Sequence, residues 1–368
     1  MTTNNDKKKS KWYQSLLKAF LRGSALVITL VGALCAVLFI TLKLMCSDSF
    51  PHVQQTFVTT ILETGQLKFL ASWFLSSEEI QDIVDKNSMK EFNVQVNTDL
   101  IQTGSFGNVE IAGDNASMEA DMQDIEIVEV AGATYTGTMM IVKDPSRISL
   151  ATIYPWREKG DTLDQLVNDN GAIGGINGGL YNSKNNTGGS PYGVLVSNGE
   201  IQHNKPQEYR GLVLIGFTED HILQIIDISK MNEAEVVSMV EEMKIRDAVT
   251  FQEEASDANN HFVQLIINGE AREMNGTGSG LNPRTAIGQR ADGSVLMFVT
   301  DGRGKSGHLG ASCADLISVM QEFGAVNAAN LDGGSSSCMY YEGEYLMSSV
   351  TFYYSNSSWR LPAAFIIK

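Results

Sequence analysis

Cysteine is scarce in this chain of 368 residues, which holds four. Cys35 falls inside an uncharged run and Cys46 just beyond it, so Cys313 and Cys338 are the pair left for the rest of the chain. So few cysteines rule out a disulfide-dense scaffold. Whether the last two bridge does not follow from their spacing, and two small buried hydrophobes is the reading we favour. Histidine numbers five, and no His, Cys and Asp group has metal-ligand spacing or EF-hand order. Neither a metal nor a cofactor is therefore expected. Positive charge is missing from most of the chain. Residues 1–23 carry six basic side chains and Asp6, hence +5, which leaves −21 for the remainder of a chain whose total is −16. Such an acidic body repels phosphate backbones, so nucleic acid is not an expected partner. Internal repeats and low-complexity tracts are absent as well.

What is present begins with an apolar run. Residues 23–42 contain no charged side chain, and about twenty residues at ~1.5 Å rise span the ~30 Å of a bilayer core. The run is longer than a signal peptide's apolar region, and Lys43-Leu44-Met45-Cys46 offers no small-residue cleavage site. We read 24–44 as an uncleaved single-pass anchor in the cell membrane. The basic cluster over 1–23 places that tail in the cytoplasm and everything beyond the anchor outside. Over 45–92, Phe57, Ile61, Leu62, Leu67, Leu70 and Trp73 recur at helical spacing, which predicts a helical, membrane-proximal stalk. The stretch 93–117 is polar and reads as a linker or edge strand, opening a domain over 93–368.

Strand-like alternation starts at Ile125. Three apolar runs then end in the same way, in a polar side chain followed by glycine. They are Ile176-Asn177-Gly178-Gly179, Thr300-Asp301-Gly302-Arg303 and Leu331-Asp332-Gly333-Gly334. Ala291-Asp292-Gly293 is a hairpin signal that brings Arg284 roughly opposite Asp301. A helix over 309–323 joins the strand ending at Thr300 to the strand ending at Leu331, which reads as a C-terminal βαβ unit. Asp301 and Asp332 then share the carboxyl edge of one sheet, where ligands of open α/β sheets bind. The fold class is α+β: a mixed sheet domain behind one transmembrane helix and a helical stalk.

Four segments resemble the phosphodiester glycosidase family in its order: Gly175-Ile176-Asn177-Gly178-Gly179-Leu180-Tyr181, Asn282-Pro283-Arg284-Thr285-Ala286-Ile287-Gly288, Thr300-Asp301-Gly302-Arg303 and Asn330-Leu331-Asp332-Gly333-Gly334-Ser335-Ser336. The resemblance spans roughly 125–368. Leu180-Tyr181 replaces a usual aromatic pair, and Ser335 stands where a third glycine is common. The resemblance implies hydrolysis of a sugar-1-phosphodiester of the N-acetylhexosamine-1-phosphate type, in a family with exopolysaccharide-related bacterial members. It implies a glycan or glycosyl phosphodiester as the partner.

Such a reaction passes through an oxocarbenium-like transition state that glycosidases meet with two carboxyl groups, here Asp301 and Asp332. Arg284 is the expected phosphate ligand, since guanidinium binds phosphate in a bidentate fork, with Arg303 as a second. Gly333 and Gly334 N–H groups and the Ser335 and Ser336 hydroxyls are expected to meet phosphate or sugar oxygens. Asn177 is expected to orient a sugar hydroxyl. The structural alternatives are an Arg284–Asp301 salt bridge and an Asn177 that caps its own turn. His308 is read as a surface or capping residue. A non-catalytic module that holds polysaccharide at the cell surface is the alternative function.

Overall fold

A computed structural model describes residues 4–64, 67–92, 94–103, 124–257, 259–351 and 356–368. Two compact units emerge, Met1–Phe57 and Val58–Lys368. In the first, α1 spans Asn4–Met45, and its stretch Trp12–Met45 is long and apolar enough to cross a membrane. Beyond it run α2 (Pro51–Leu62), α3 (Phe69–Ser72) and α4 (Ser77–Asp85). Ser76 caps α4 in a reciprocal box with Glu79, which satisfies two orphan donors of the first turn.

The expected stalk is corrected from Val58 onward. Val58, Ile61, Leu62, Ile80, Ile83 and Val84 are buried, and this segment belongs to the folded unit. Met89 bridges to Met274, and Lys90 pairs with Glu273 at 2.6 Å. Helical spacing of apolar residues showed that one face needed cover, without showing what would cover it. Most of the linker expected over 93–117 lies outside the described residues. Its described part is tied to the domain, with Asn97 N–H donating to Asn268 Oδ1 at 2.7 Å.

Three main sheets form the rest. The largest has β1 (Ile125–Ala131), β2 (Thr136–Val142), β12 (Gln264–Ile267), β13 (Glu270–Ala271), β14 (Thr285–Arg290), β15 (Val295–Thr300) and β16 (Ala325–Asn330), in the order β1-β2-β15-β14-β16-β12-β13. The second joins β3 (Ile148–Thr152), β4 (Gly174–Asn177), β17 (Met339–Tyr341), β18 (Glu344–Met347) and β19 (Ala363–Ile367), ordered β18-β17-β4-β19-β3. The third holds β5 (Val194–Ser197), β6 (Glu200–Asn204), β7 (Leu212–Thr218), β8 (Leu223–Asp227) and β9 (Ile245–Gln252), ordered β6-β5-β9-β7-β8. A two-stranded ribbon pairs β10 (Glu254–Ala255) with β11 (Asn260–His261).

β15 shows how period-two alternation builds the core. Val295, Met297 and Val299 enter a cluster shared by all three main sheets, with Ile176, Phe365, Phe217 and Phe251. Leu296 and Phe298 face the other way, against Leu316, Ile317 and Met320 of the helix Cys313–Glu322. A strand covered on both faces reads as an unbroken apolar run. Truncating a side chain such as Phe298 to alanine costs about 3–5 kcal/mol.

The βαβ unit takes a different form from the expected one. β14 pairs antiparallel with both β15 and β16 and lies between them. The two strands joined by the helix Cys313–Glu322 therefore run in the same direction without touching. The hairpin turn at Gly293, whose φ is +88°, places β14 beside β15, and the helix crosses over it.

Candidate active site

The ladder fixes the strand ends. Thr285 pairs with Val299, and Leu331 N–H donates to Thr285 O at 2.8 Å. Thr300 N–H donates to Arg284 O at 2.9 Å, while Arg284 N–H reaches Thr300 Oγ1 at 2.9 Å. Asp301 and Asp332 thus leave the same edge on either side of Arg284, two strand spacings or roughly 10 Å apart. The second sheet is stitched to this edge by Asn177. Its Nδ2 donates to Asp332 O at 2.7 Å, and its Oδ1 accepts from Thr285 Oγ1 at 2.7 Å and Cys338 N–H at 3.2 Å. Buried and so engaged, Asn177 clamps the turn instead of facing a sugar hydroxyl.

Asp332 sits in that turn. Ser336 Oγ donates to its Oδ2 at 2.6 Å, which leaves the Tyr181 hydroxyl, 3.0 Å away, to donate to Ser336. Burial pushes the Asp332 carboxyl up from 3.8 to about 7, against the opposing pull of Ser336, the Gly333 N–H and the Arg303 charge. A carboxyl poised there exchanges protons at neutral pH. The Gly333 and Gly334 N–H groups serve the turn itself. Gly333 bonds the Asp332 carboxyl, and Gly334 donates to Pro283 O at 2.8 Å. These two amides are not turned out toward a ligand as the sequence suggested.

Arg303 follows with φ +54°, and its guanidinium lies over Gly334. A β-carbon at Gly334 would stand 2.5 Å from Nη2 and displace the Arg303 guanidinium, and the φ of +64° there favours glycine. Arg303 Nη1 donates to Ser335 Oγ at 2.9 Å and Nε to Asn282 Oδ1 at 3.2 Å. Asp332, Ser335, Ser336 and Arg303 therefore form one group around the turn.

Arg284 is turned elsewhere. Its Nη2 meets Glu63 Oε2 at 2.5 Å and donates to Gly280 O at 2.6 Å and Ser279 Oγ at 2.9 Å, while Nε donates to Ala311 O at 3.0 Å. The salt bridge weighed against Asp301 forms with Glu63 instead. Glu63 was invisible as a partner because 221 residues separate the two, and no local pattern carries such a contact. Burial pushes the Glu63 carboxyl up, with the Arg284 charge opposing.

Asp301 has its own surroundings. Thr136 donates from N–H to Oδ1 and from Oγ1 to Oδ2, both at 2.8 Å, and His308 Nδ1 stands 2.7 Å from Oδ2. His308 belongs to the site edge after all, paired with a buried carboxylate. A lone His near a helix start carries no sequence signal for this, since the pairing needs the loop 301–310 to fold back, as in the Gly304 N–H bond to His308 O at 2.7 Å. Cys313 and Cys338 are free thiols, both buried.

With this geometry in place, comparison with known proteins assigns the class. The profile of the phosphodiester glycosidase family matches residues 170–368, and the chain belongs to that family. Its fold is similar to the zebrafish N-acetylglucosamine-1-phosphodiester alpha-N-acetylglucosaminidase catalytic domain, auto-inhibited by pro-peptide. The TM-score is 0.50 at 17% identity, covering 66% of this chain and 81% of that one. A hypothetical protein from Synechocystis aligns at 18% identity with a TM-score of 0.40, over 66% of this chain and 61% of its own. The SPbeta prophage-derived uncharacterized protein YomE of Bacillus subtilis (strain 168) is 42% identical over 65 residues, 18% of this chain and 10% of that protein's length.

Proposed function

We propose that the chain hydrolyses a sugar-1-phosphodiester of the N-acetylhexosamine-1-phosphate type, acting on glycan at the cell surface. The observation that carries the reading is the family's own turn after β16, in which Asp332 accepts from Ser336 and Arg303 donates to Ser335. In the reaction the oxygen of water bonds to the anomeric carbon. The bond from that carbon to the phosphate oxygen breaks, with its electron pair left on the phosphate. Free sugar and a phosphate monoester result. A phosphate monoester leaves readily, so the greater need is to hold its charge, which Arg303 and Ser335 do. Asp332 takes the proton from water or faces the developing positive charge, and Ser336, with Tyr181 behind it, keeps its carboxyl in place. Asp301 orients His308 at the end of β15, across β14 from the Asp332 turn. The test is a panel of N-acetylhexosamine-1-phosphodiesters offered to the full chain. Sugar release well above that of an Asp332→Asn control is expected, and no difference between the two would refute the reading.

The apolar helix within Asn4–Met45 is proposed as the membrane anchor, with its basic start in the cytoplasm and the glycosidase domain outside. Protease added to intact cells should cut within the domain and spare the Lys7–Lys9 tail. The opposite protection pattern would reverse the topology.

A further inference from the structure

Ahead of the uncharged run, α1 divides into two faces. At ~100° per residue, Trp12, Tyr13, Leu16, Leu17, Phe20 and Leu21 occupy one arc of about 180°, and Gln14, Ser15, Lys18 and Arg22 lie on the other. No other part of the described chain covers the apolar face, whose side chains are 47% to 70% exposed. Trp12 and Tyr13 meet edge to face at its start, with ring centroids 5.3 Å apart. The sequence places Lys7, Lys8, Lys9 and Lys11 just before this segment, and no acidic residue falls between Lys7 and Arg22.

The uncharged run over 23–42 by itself spans the ~30 Å of hydrocarbon at ~1.5 Å per residue. Within it the Thr29 and Thr41 hydroxyls donate back to Ala25 O and Val37 O at 2.9 Å, which satisfies them where water is missing. A straight continuation of the helix would carry Trp12 about 16 Å beyond that run, with the apolar face left in water. Gly23-Ser24 stands at the junction, and helices bend at glycine–serine pairs. We infer that the segment 12–22 is an interfacial helix that lies along an anionic lipid surface, turned at Gly23-Ser24. Its apolar arc sinks below the headgroups, Trp12 and Tyr13 sit at headgroup level, and Lys18 and Arg22 face the lipid phosphates. A second copy of the chain would cover only part of this face. An arc of about 180° is wider than the a/d seam of a helix pair, and the basic side chains match anionic headgroups in sign. The inference rests on the membrane-anchor reading and is independent of the glycosidase.

The full chain is reconstituted into vesicles of phosphatidylcholine, with or without phosphatidylglycerol, and Trp12 is the probe. Its emission is the difference between the wild type and Trp12→Phe. Lipids brominated close to the headgroup should quench that emission, and at least roughly twofold more strongly when phosphatidylglycerol is present. Lys18→Gln combined with Arg22→Gln should erase the difference between the two vesicles, and Leu16→Gln combined with Phe20→Gln should release Trp12 from the quencher. Equal quenching of the wild type in both vesicles overturns the inference, because the basic face then reads no headgroup charge. Trp12 emission untouched by brominated lipid also overturns it, and a dependence on the protein-to-lipid ratio in its place would assign the face to a second copy. Failure of the chain to float with the vesicles overturns the anchor and the interfacial helix together. Flotation with Trp12 unquenched overturns the interfacial helix and keeps the anchor.

Discussion

Asp301 and Asp332 end two strands of one sheet, at the same edge, and their surroundings differ in kind. Asp301 receives an N–H and a hydroxyl from Thr136 and sits against His308. Asp332 is half-buried and meets the Ser336 hydroxyl and the Gly333 N–H, and its carboxyl is pushed up to about 7. Identical side chains at matching strand ends thus do unlike work. One is fixed by its donors beside His308, and the other is held where it can gain and lose a proton.

The comparison breaks most visibly under substitution of Asp332. Asp332→Asn keeps the shape and removes the titrating group, so turnover should fall by roughly a hundredfold to ten-thousandfold, the range of acid–base groups. Loss of less than about tenfold in steady-state turnover would give the two carboxylates equal standing. Asp301→Asn should act first on stability. A hydrogen bond to a charged group contributes about 1.5–3 kcal/mol, so a lowered unfolding midpoint in denaturant is expected, with a smaller loss of turnover than at Asp332. A larger kinetic loss at Asp301 would invert the assignment.

A third effect is in pH dependence. The folded state raises the Asp332 value from 3.8 to about 7, so folding favours the protonated form. Stability from this group is fully present below 3.8 and is lost as pH rises through about 7. The Tm of the wild type relative to Asp332→Asn should therefore decline between pH 5 and pH 8. A flat difference would mean that the carboxyl is not held near neutrality.

Much of this edge was legible before any coordinates, because strand patterning and turn chemistry are local. Apolar runs that stop at Asp301 and Asp332, each followed by glycine, mark buried strands that end at a turn. What was not legible depends on pairing across the chain. The insertion of β14 between β15 and β16 is a choice of neighbours, and each strand reads the same in either order. Arg284 reads as an exposed anion ligand until Glu63 arrives from the far end of the domain. Asn177 reads as a sugar ligand or a cap of its own turn until Thr285, Cys338 and Asp332 engage its amide. The apolar spacing over 45–92 gave helices correctly and left open the surface they cover. In each case the missing term was a long-range partner.

A surface module that only holds polysaccharide would use the same arginine and hydroxyls, with no need for a carboxyl near neutrality. Affinity and turnover measured together on one sugar-1-phosphodiester, for the wild type and Asp332→Asn, separate the two most directly. The account predicts nearly equal affinity and a hundredfold or greater loss of turnover in the variant, the mark of a group that acts in the transition state. Equal turnover in both proteins would contradict it.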